Sequence, residues 1–207
     1  STSSSRIVAQ DGALDLSGSL YGQGTGTYPL YLSGTADSGT NRVSGVISDG
    51  SGTVRLQLSD TAPQDGSSEA NFWALSGVNT FTGSTTLSDT SHLLIDGPGQ
   101  LGSGSYAGTI SINDTATFEY GSSANQTLTG TIQGSGTGGL VASGSGTLTV
   151  PLTNTTSYTG PTTINGGNLQ FANTADLKGL SCSQFYINDG GYLEFESSVG
   201  GNNRTVL

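Results

Sequence analysis

The chain is poor in most of what catalysis, metal chemistry and membranes require. In 207 residues it has one His, one Cys, one Trp, no Met, and only five Lys and Arg. A single His without Cys or gathered acids cannot complete a zinc site, so His92, with Ser91 beside it, reads as a polar surface residue. A single Cys can form no internal disulfide, which leaves Cys182 either buried between Leu180 and Phe185 or bonded to another subunit. Fifteen acids against five bases give a net charge of −10, which argues against nucleic acid and anionic lipid as partners, since both need Lys and Arg to replace counterions. No segment approaches the ~18 apolar residues of a membrane helix. The ten-residue amphipathic strands of an outer-membrane barrel are also missing, so no membrane insertion is expected and another chain or pathway must carry out export. With no initiating Met, the chain reads as a mature secreted protein freed of its signal peptide, or as an excised fragment. No stretch shows apolar spacing of 3.6, so helix should be nearly absent.

What the chain does have is Gly, Ser, Thr and short alternating segments. Thirty-four Gly would suit disorder, but 32% hydrophobic residues at regular spacing, with fourteen aromatics, can support a narrow core. Gly146-Thr147-Leu148-Thr149-Val150, Thr162-Thr163-Ile164 and Asn168-Leu169-Gln170-Phe171 alternate with period two between Gly, Asn, Ser or Pro, the mark of short half-buried strands joined by tight turns. The pattern recurs at long range. Thr80 to Leu87 aligns without a gap on Ser157 to Ile164. Ile112 to Tyr120 returns as Ile187 to Phe195 and, more loosely, as Val8 to Leu16. Asn125 to Ile132 has an earlier copy at Asn41 to Ile47, and its first half returns at Asn203 to Val206.

Three unit types that recur in fixed order at similar spacing define a long repeat, and one such unit cannot bury its own hydrophobic face. Copies must stack and share a core. Strands this short, without crossover helices, fit an all-β parallel β-helix, or β-solenoid, with the right-handed form favoured. At about 20 to 25 residues per coil the chain would make about nine coils, a rod roughly 45 Å long at the spacing of paired strands. Residues 1–74 read as irregular opening coils with a loop projecting at 61–71, and residues 75–207 as regular coils of the same single solenoid.

The run G-L-V-x-x-G-x-G-T-L-T-V and then S-Y-T-G-x-T-T-I-N-x-G-x-L-Q-F, from Gly139 to Phe171, resembles the autotransporter-associated β-strand repeat of bacterial autotransporter passengers and other large secreted surface proteins. The resemblance covers that stretch well, Ser76 to Leu87 partially, and the part of the chain before Asn71 poorly. It implies a parallel β-helix outside the cell and no particular reaction.

Candidate sites are few. The loop Thr61 to Ala70, with Asp65, Glu69 and then Phe72 and Trp73, is the best candidate for recognition of a glycan or a host or cell-surface protein, because loops on rigid scaffolds tend to carry binding. The other role open to Trp73 is to cover the core where that loop leaves, and this is the favoured reading. A second long turn runs from Asn173 to Leu180. Gly22-x-Gly24-x-Gly26 lacks the following helix of a phosphate loop and reads as a turn. Parallel β-helices can host lyases and glycoside hydrolases, but the bases Arg6, Arg42, Arg55, Lys178 and Arg204 are scattered. Glu119 and Glu194, at equivalent repeat positions, could form a ladder of carboxylates, though outward strand positions are the plainer reading. No catalytic residue, cofactor or metal is expected. The Asp-Gly pairs are ordinary turn chemistry with calcium left open, and Asn113, Asn125, Asn154 and Asn203 each begin a glycosylation sequon or an Asn ladder. Neither end offers a helical cap. Ile7 and Val8 at one end and Thr205, Val206 and Leu207 at the other are therefore the expected contacts for end-to-end self-association into an extracellular filament. The overall expectation is a non-enzymatic secreted rod, a filament subunit or surface stalk, with an adhesin as the alternative.

Overall fold

The computed structural model describes residues 4–9, 12–34, 40–59, 71–151, 156–172, 181–188, 190–196 and 204–206. They wind into a β-solenoid with three faces. The first face is seven parallel strands: Ser5–Ala9, Thr27–Gly34, Thr53–Leu58, Thr85–Leu87, Ile110–Ile112, Ile132–Gly134 and Ser157–Tyr158. The second is eight: Asp15–Leu16, Asn41–Val43, Phe72–Leu75, His92–Gly97, Thr117–Ser122, Gly139–Ala142, Thr162–Ile164 and Phe185–Ile187. The third opens with the pair Leu20–Tyr21 and Ile47–Ser48 and continues as Ser105–Tyr106, Gln126–Leu128, Thr147–Pro151, Asn168–Ala172 and Tyr192–Phe195. Between its two parts the chain is carried by Ile47 O, which accepts the N–H groups of Thr80 and Phe81. Among the described residues the one helical element is a single 3₁₀ turn, Gly102–Gly104.

The winding makes about seven full turns, close to the nine expected. The shortfall comes from long early turns. Much more chain separates Asn41 from Trp73, which stacks on it, than separates Thr147 from its own stacking partner Asn168.

Alternation decides which side chains enter. In Thr147–Pro151 the buried residues are Leu148 and Val150, and in Thr53–Leu58 they are Val54, Leu56 and Leu58. Parallel register then piles like on like: Trp73, Leu93, Phe118 and Leu140 form one inward column, and Leu75, Ile95, Tyr120, Ala142 and Ile164 the next. Each fully buried large side chain contributes about 1.5–3 kcal/mol. Tyr106 and Tyr120 bury their rings and still satisfy their hydroxyls, Tyr106 donating to Gly83 O and hydrogen-bonding Thr85 Oγ1 at 2.9 Å, and Tyr120 donating to Ala124 O at 2.6 Å. Tyr158 pairs in the same way with Thr162 Oγ1.

Corners between faces need small residues because consecutive turns touch there. A Cβ on Gly160 would overlap Gly138 O, and one on Gly45 would overlap Gly18 O. That close approach, more than freedom at positive φ, accounts for glycine in these turns.

The long repeat and the turn are out of phase. Thr85 begins a first-face strand, but Thr162, its equivalent in the next copy, begins a second-face strand. Ile112 ends a first-face strand and Ile187 a second-face strand. Asn41 lies on the second face, whereas the copy after Asn125 lies on the third. In these three pairs the later copy has advanced three turns and one further face, whereas the looser copy at Val8 to Leu16 keeps the faces of Ile112 to Tyr120 four turns on. The three faces are therefore interchangeable settings for one unit, each asking only for an inward apolar pair and a glycine corner. The last copy does not continue the winding. Arg204–Val206 turns back and pairs antiparallel with Tyr192–Phe195.

Candidate functional site

The most elaborate polar cluster among the described residues lies on the outside of the second face. Outward positions of successive strands fall in line, so Phe72, His92 and Thr117 stack in one column and Leu94, Glu119 and Val141 in the next. Phe72 meets His92 edge to face with centroids 4.4 Å apart. His92 Nε2 lies 2.8 Å from Glu119 Oε2, and Ser143 Oγ donates to Glu119 Oε1. Four turns are thus clipped together from outside. The hydrogen bond from His92 holds the Glu119 carboxyl below its usual range, with Ser143 adding to the effect and partial burial opposing it. Further along the same face Arg42 reaches over one turn to Asp96 at 2.7 Å.

The carboxylate stands in the middle of this cluster. Nucleophilic catalysis needs the imidazole between the hydroxyl and the acid. Here Ser143 gives its hydrogen to Glu119, so no base is aimed at its oxygen, and the arrangement suits a clamp.

Of the residues singled out from sequence, Asp65, Glu69 and Leu207 lie outside the described residues, as do the loops 60–70 and 173–180. Trp73 is fully buried in the core, pointing away from any partner at that strand's surface. Phe72 is half-buried on the outer face. Glu119 and Glu194 do not form a ladder: Glu119 is on the second face and Glu194 on the third, where it accepts from Gln170 Nε2 at 3.2 Å. Equivalence in the repeat misled here because the repeat moves one face per copy. His92, read as a plain surface residue, proves to be one arm of the outer clip, bonded to Glu119 and packed on Phe72. The signal available was its separation from Glu119 along the chain, about one turn. Asn125 is exposed and accepts from Thr147 N at 3.0 Å, while Asn113 is half-buried. Asn154 and Asn203 lie outside the described residues. Cys182 is half-buried against the core. Gly22 to Gly26 is a turn leading into Thr27–Gly34.

The two ends of the winding differ from its middle. At one end Ile7 is half-buried and Val8 is 46% exposed. Ile7, Leu20, Tyr28, Leu30, Ile47 and Val54 contribute to the lining of a mainly apolar cavity of about 240 Å³. At the other end, Phe185 and Ile187 stand in register on the buried Thr162 and Ile164, yet each is 37% exposed. Thr205 and Val206 sit in the antiparallel strand that pairs with the last parallel strand of the third face.

A sequence profile of the passenger-associated-transport-repeat matches residues 73–89 and 140–171. The matched stretches lie within the regular winding, from Trp73 through the Thr85–Leu87 strand and from Leu140 to Phe171, with further regular strands between them. No curated protein and no solved structure matches the chain.

Proposed function

We propose that this chain, which carries two passenger-associated-transport-repeat segments, is part of an exported, extracellular β-solenoid: a non-enzymatic rod on the bacterial cell surface. The observation that carries the reading is the parallel stacking of successive turns, continuous on the first and second faces and in two parts on the third, around shared inward apolar columns. Such stacking gives stiffness along one axis and leaves little surface for a reaction. The acidic composition keeps an exposed rod soluble and away from anionic lipid. The central carboxylate of the His92 cluster supports a clamping role over a catalytic one.

The rod extends by adding rungs. Phe185 and Ile187 at one end and the apolar cavity beside Ile7 at the other are core columns left open, and a further rung would close them, supplied by neighbouring coils in a stalk or by a second copy in a filament. Light scattering with electron microscopy of the purified chain tests this. Rods longer than one molecule that shorten when Phe185 and Ile187 are replaced by Asp favour the filament. Single short rods throughout favour the stalk, and a compact particle without an elongated axis would sink both.

A further inference from the structure

The corner between the first and second faces changes character along the rod. In the later turns its inner column is Ser91, Ala116 and Gly138. Ser91 Oγ finds Ser88 O at 2.7 Å and Leu58 O at 3.4 Å, and the other two have no polar side chain to satisfy. One turn earlier Asn71 takes the place of Ser91, and the adjoining inward column, which is Leu93, Phe118 and Leu140 in later turns, holds Trp73 and Asn41; with Ser33 these are four buried polar side chains, all at 3% exposure or less. Each leaves one atom without a partner: Ser33 Oγ, Asn41 Nδ2, Asn71 Oδ1 and Trp73 Nε1.

These four belong to one place. Asn41 and Trp73 are direct register partners on stacked strands, about 4.8 Å apart along the rod. Asn71 precedes Trp73 by two positions, and its Nδ2 donates to Leu32 O at 2.9 Å, next to Ser33. Backbone partners fix which way the amides point. Asn41 Oδ1 accepts from Leu14 N at 3.0 Å and Asn71 Nδ2 donates to Leu32 O at 2.9 Å, which leaves Asn41 Nδ2 and Asn71 Oδ1 as the unpaired atoms of the two buried amides.

An unpaired buried polar atom costs about 1–3 kcal/mol, so four at one corner would be a heavy load. Their chemistry points to one guest. Asn41 Nδ2 and Trp73 Nε1 can only donate, Asn71 Oδ1 can only accept, and Ser33 Oγ can do either. A cation is repelled by the two donors, and an anion by the amide oxygen. Water accepts two hydrogen bonds and donates two, and buried waters typically make about three. We infer that this corner is an internal hydration site, one or two long-lived water molecules held by Ser33, Asn41, Asn71 and Trp73. Water bonded there replaces the backbone contact that Ala116 and Gly138 allow in later turns.

The single Trp makes the site readable, because the indole N–H gives one isolated nuclear magnetic resonance signal. A cross-peak of slowly exchanging water at Trp73 Hε1 is expected in the full chain, together with crystallographic density within hydrogen-bond reach of Trp73 Nε1 and Asn71 Oδ1. Asn71→Leu, which removes the acceptor, should weaken the cross-peak several-fold. If that variant does not fold, the two measurements on the unaltered chain decide alone. A dry corner, a protein atom bonded to Nε1, or density for an ion would each overturn the inference.

Discussion

The early turns and the later turns are two solutions to the same problem of turning a corner. Up to Trp73 the stacked strands are far apart along the chain, as Thr27 and Thr53 are, or Asn41 and Trp73, and Asn side chains are buried at the bend. From Thr117 on the turns shorten, as between Thr117 and Gly139 or Thr147 and Asn168, and the bend is made by Ala116, Gly138 and Gly160 lying against one another. A long corner needs polar side chains to satisfy its backbone. A short one is satisfied by the turn above and needs only the absence of a side chain. The repeat profile includes Gly160 but not Ala116 or Gly138 and, in the first half, reaches back no further than Trp73.

A single methyl group at a later corner should cost far more than one at a glycine that nothing lies against. Gly160→Ala would drive its Cβ into Gly138 O and should cost about 3 kcal/mol or more. Gly18→Ala, in the first turn, meets nothing and should be neutral or stabilising by up to about 1 kcal/mol. Denaturant midpoints at unchanged slope would measure both. A loss below ~1 kcal/mol for Gly160→Ala would mean the later corners have slack, and the comparison would fail.

Alkali offers the next largest effect. Burial raises the hydroxyl pKa of Tyr106, Tyr158 and Tyr120, all beyond Trp73. A raised folded value means stability fully present below the unfolded value, about 10, and lost as pH climbs beyond it. Of the eight tyrosines, these three should stay un-ionised until the rod melts, giving a late step in near-ultraviolet absorbance that coincides with loss of circular dichroism. Smooth titration of all eight before melting would show the later core to be open.

Asp49 joins the two regions. Its carboxylate accepts from Val54 N at 2.6 Å and, one turn on, from Thr82 N at 3.0 Å and Thr82 Oγ1 at 2.6 Å. Asp49→Ala should cost about 1.5–3 kcal/mol, as expected for bonds to a charged acceptor. The loss should appear as earlier exchange of amides near Val54, with those around Leu148 unchanged. Equal loosening at both places would mean that the rod melts as one unit.

How much of this was legible from the chain alone follows from the same physics. Alternation in Gly146 to Val150 and Thr162 to Ile164 revealed strands, and the absence of helical spacing left parallel winding as the way to pair them. The phase of the repeat was hidden. Nothing in Thr80 to Leu87 says which face it will occupy, because all faces ask for the same pattern, and so Glu119 and Glu194 looked like neighbours. The outer clip was hidden for a related reason: register brings His92 to Glu119 only once the length of that particular turn is known. The fate of Arg204–Val206 escaped because a strand that turns back has the same alternation as one that winds on.

The smallest effect tests whether the outside of the later turns matters at all. His92 and Glu119 are partly exposed, so their pairing should contribute about 0.3–1 kcal/mol, and a double-mutant cycle of His92→Ala with Glu119→Gln isolates it. The sign with pH is fixed by the carboxylate. Because His92 depresses the Glu119 pKa, Glu119 contributes stability above the ordinary carboxylate range, and that contribution is lost as pH falls through its lowered folded value. Unaltered protein should therefore start with the higher melting temperature and lose more of it on acidification than Glu119→Gln loses from its own neutral value, the two converging once the carboxylate is protonated. If the two curves run parallel from neutral pH to full protonation, the clip adds nothing, and the rod is held by its inner columns and corners alone.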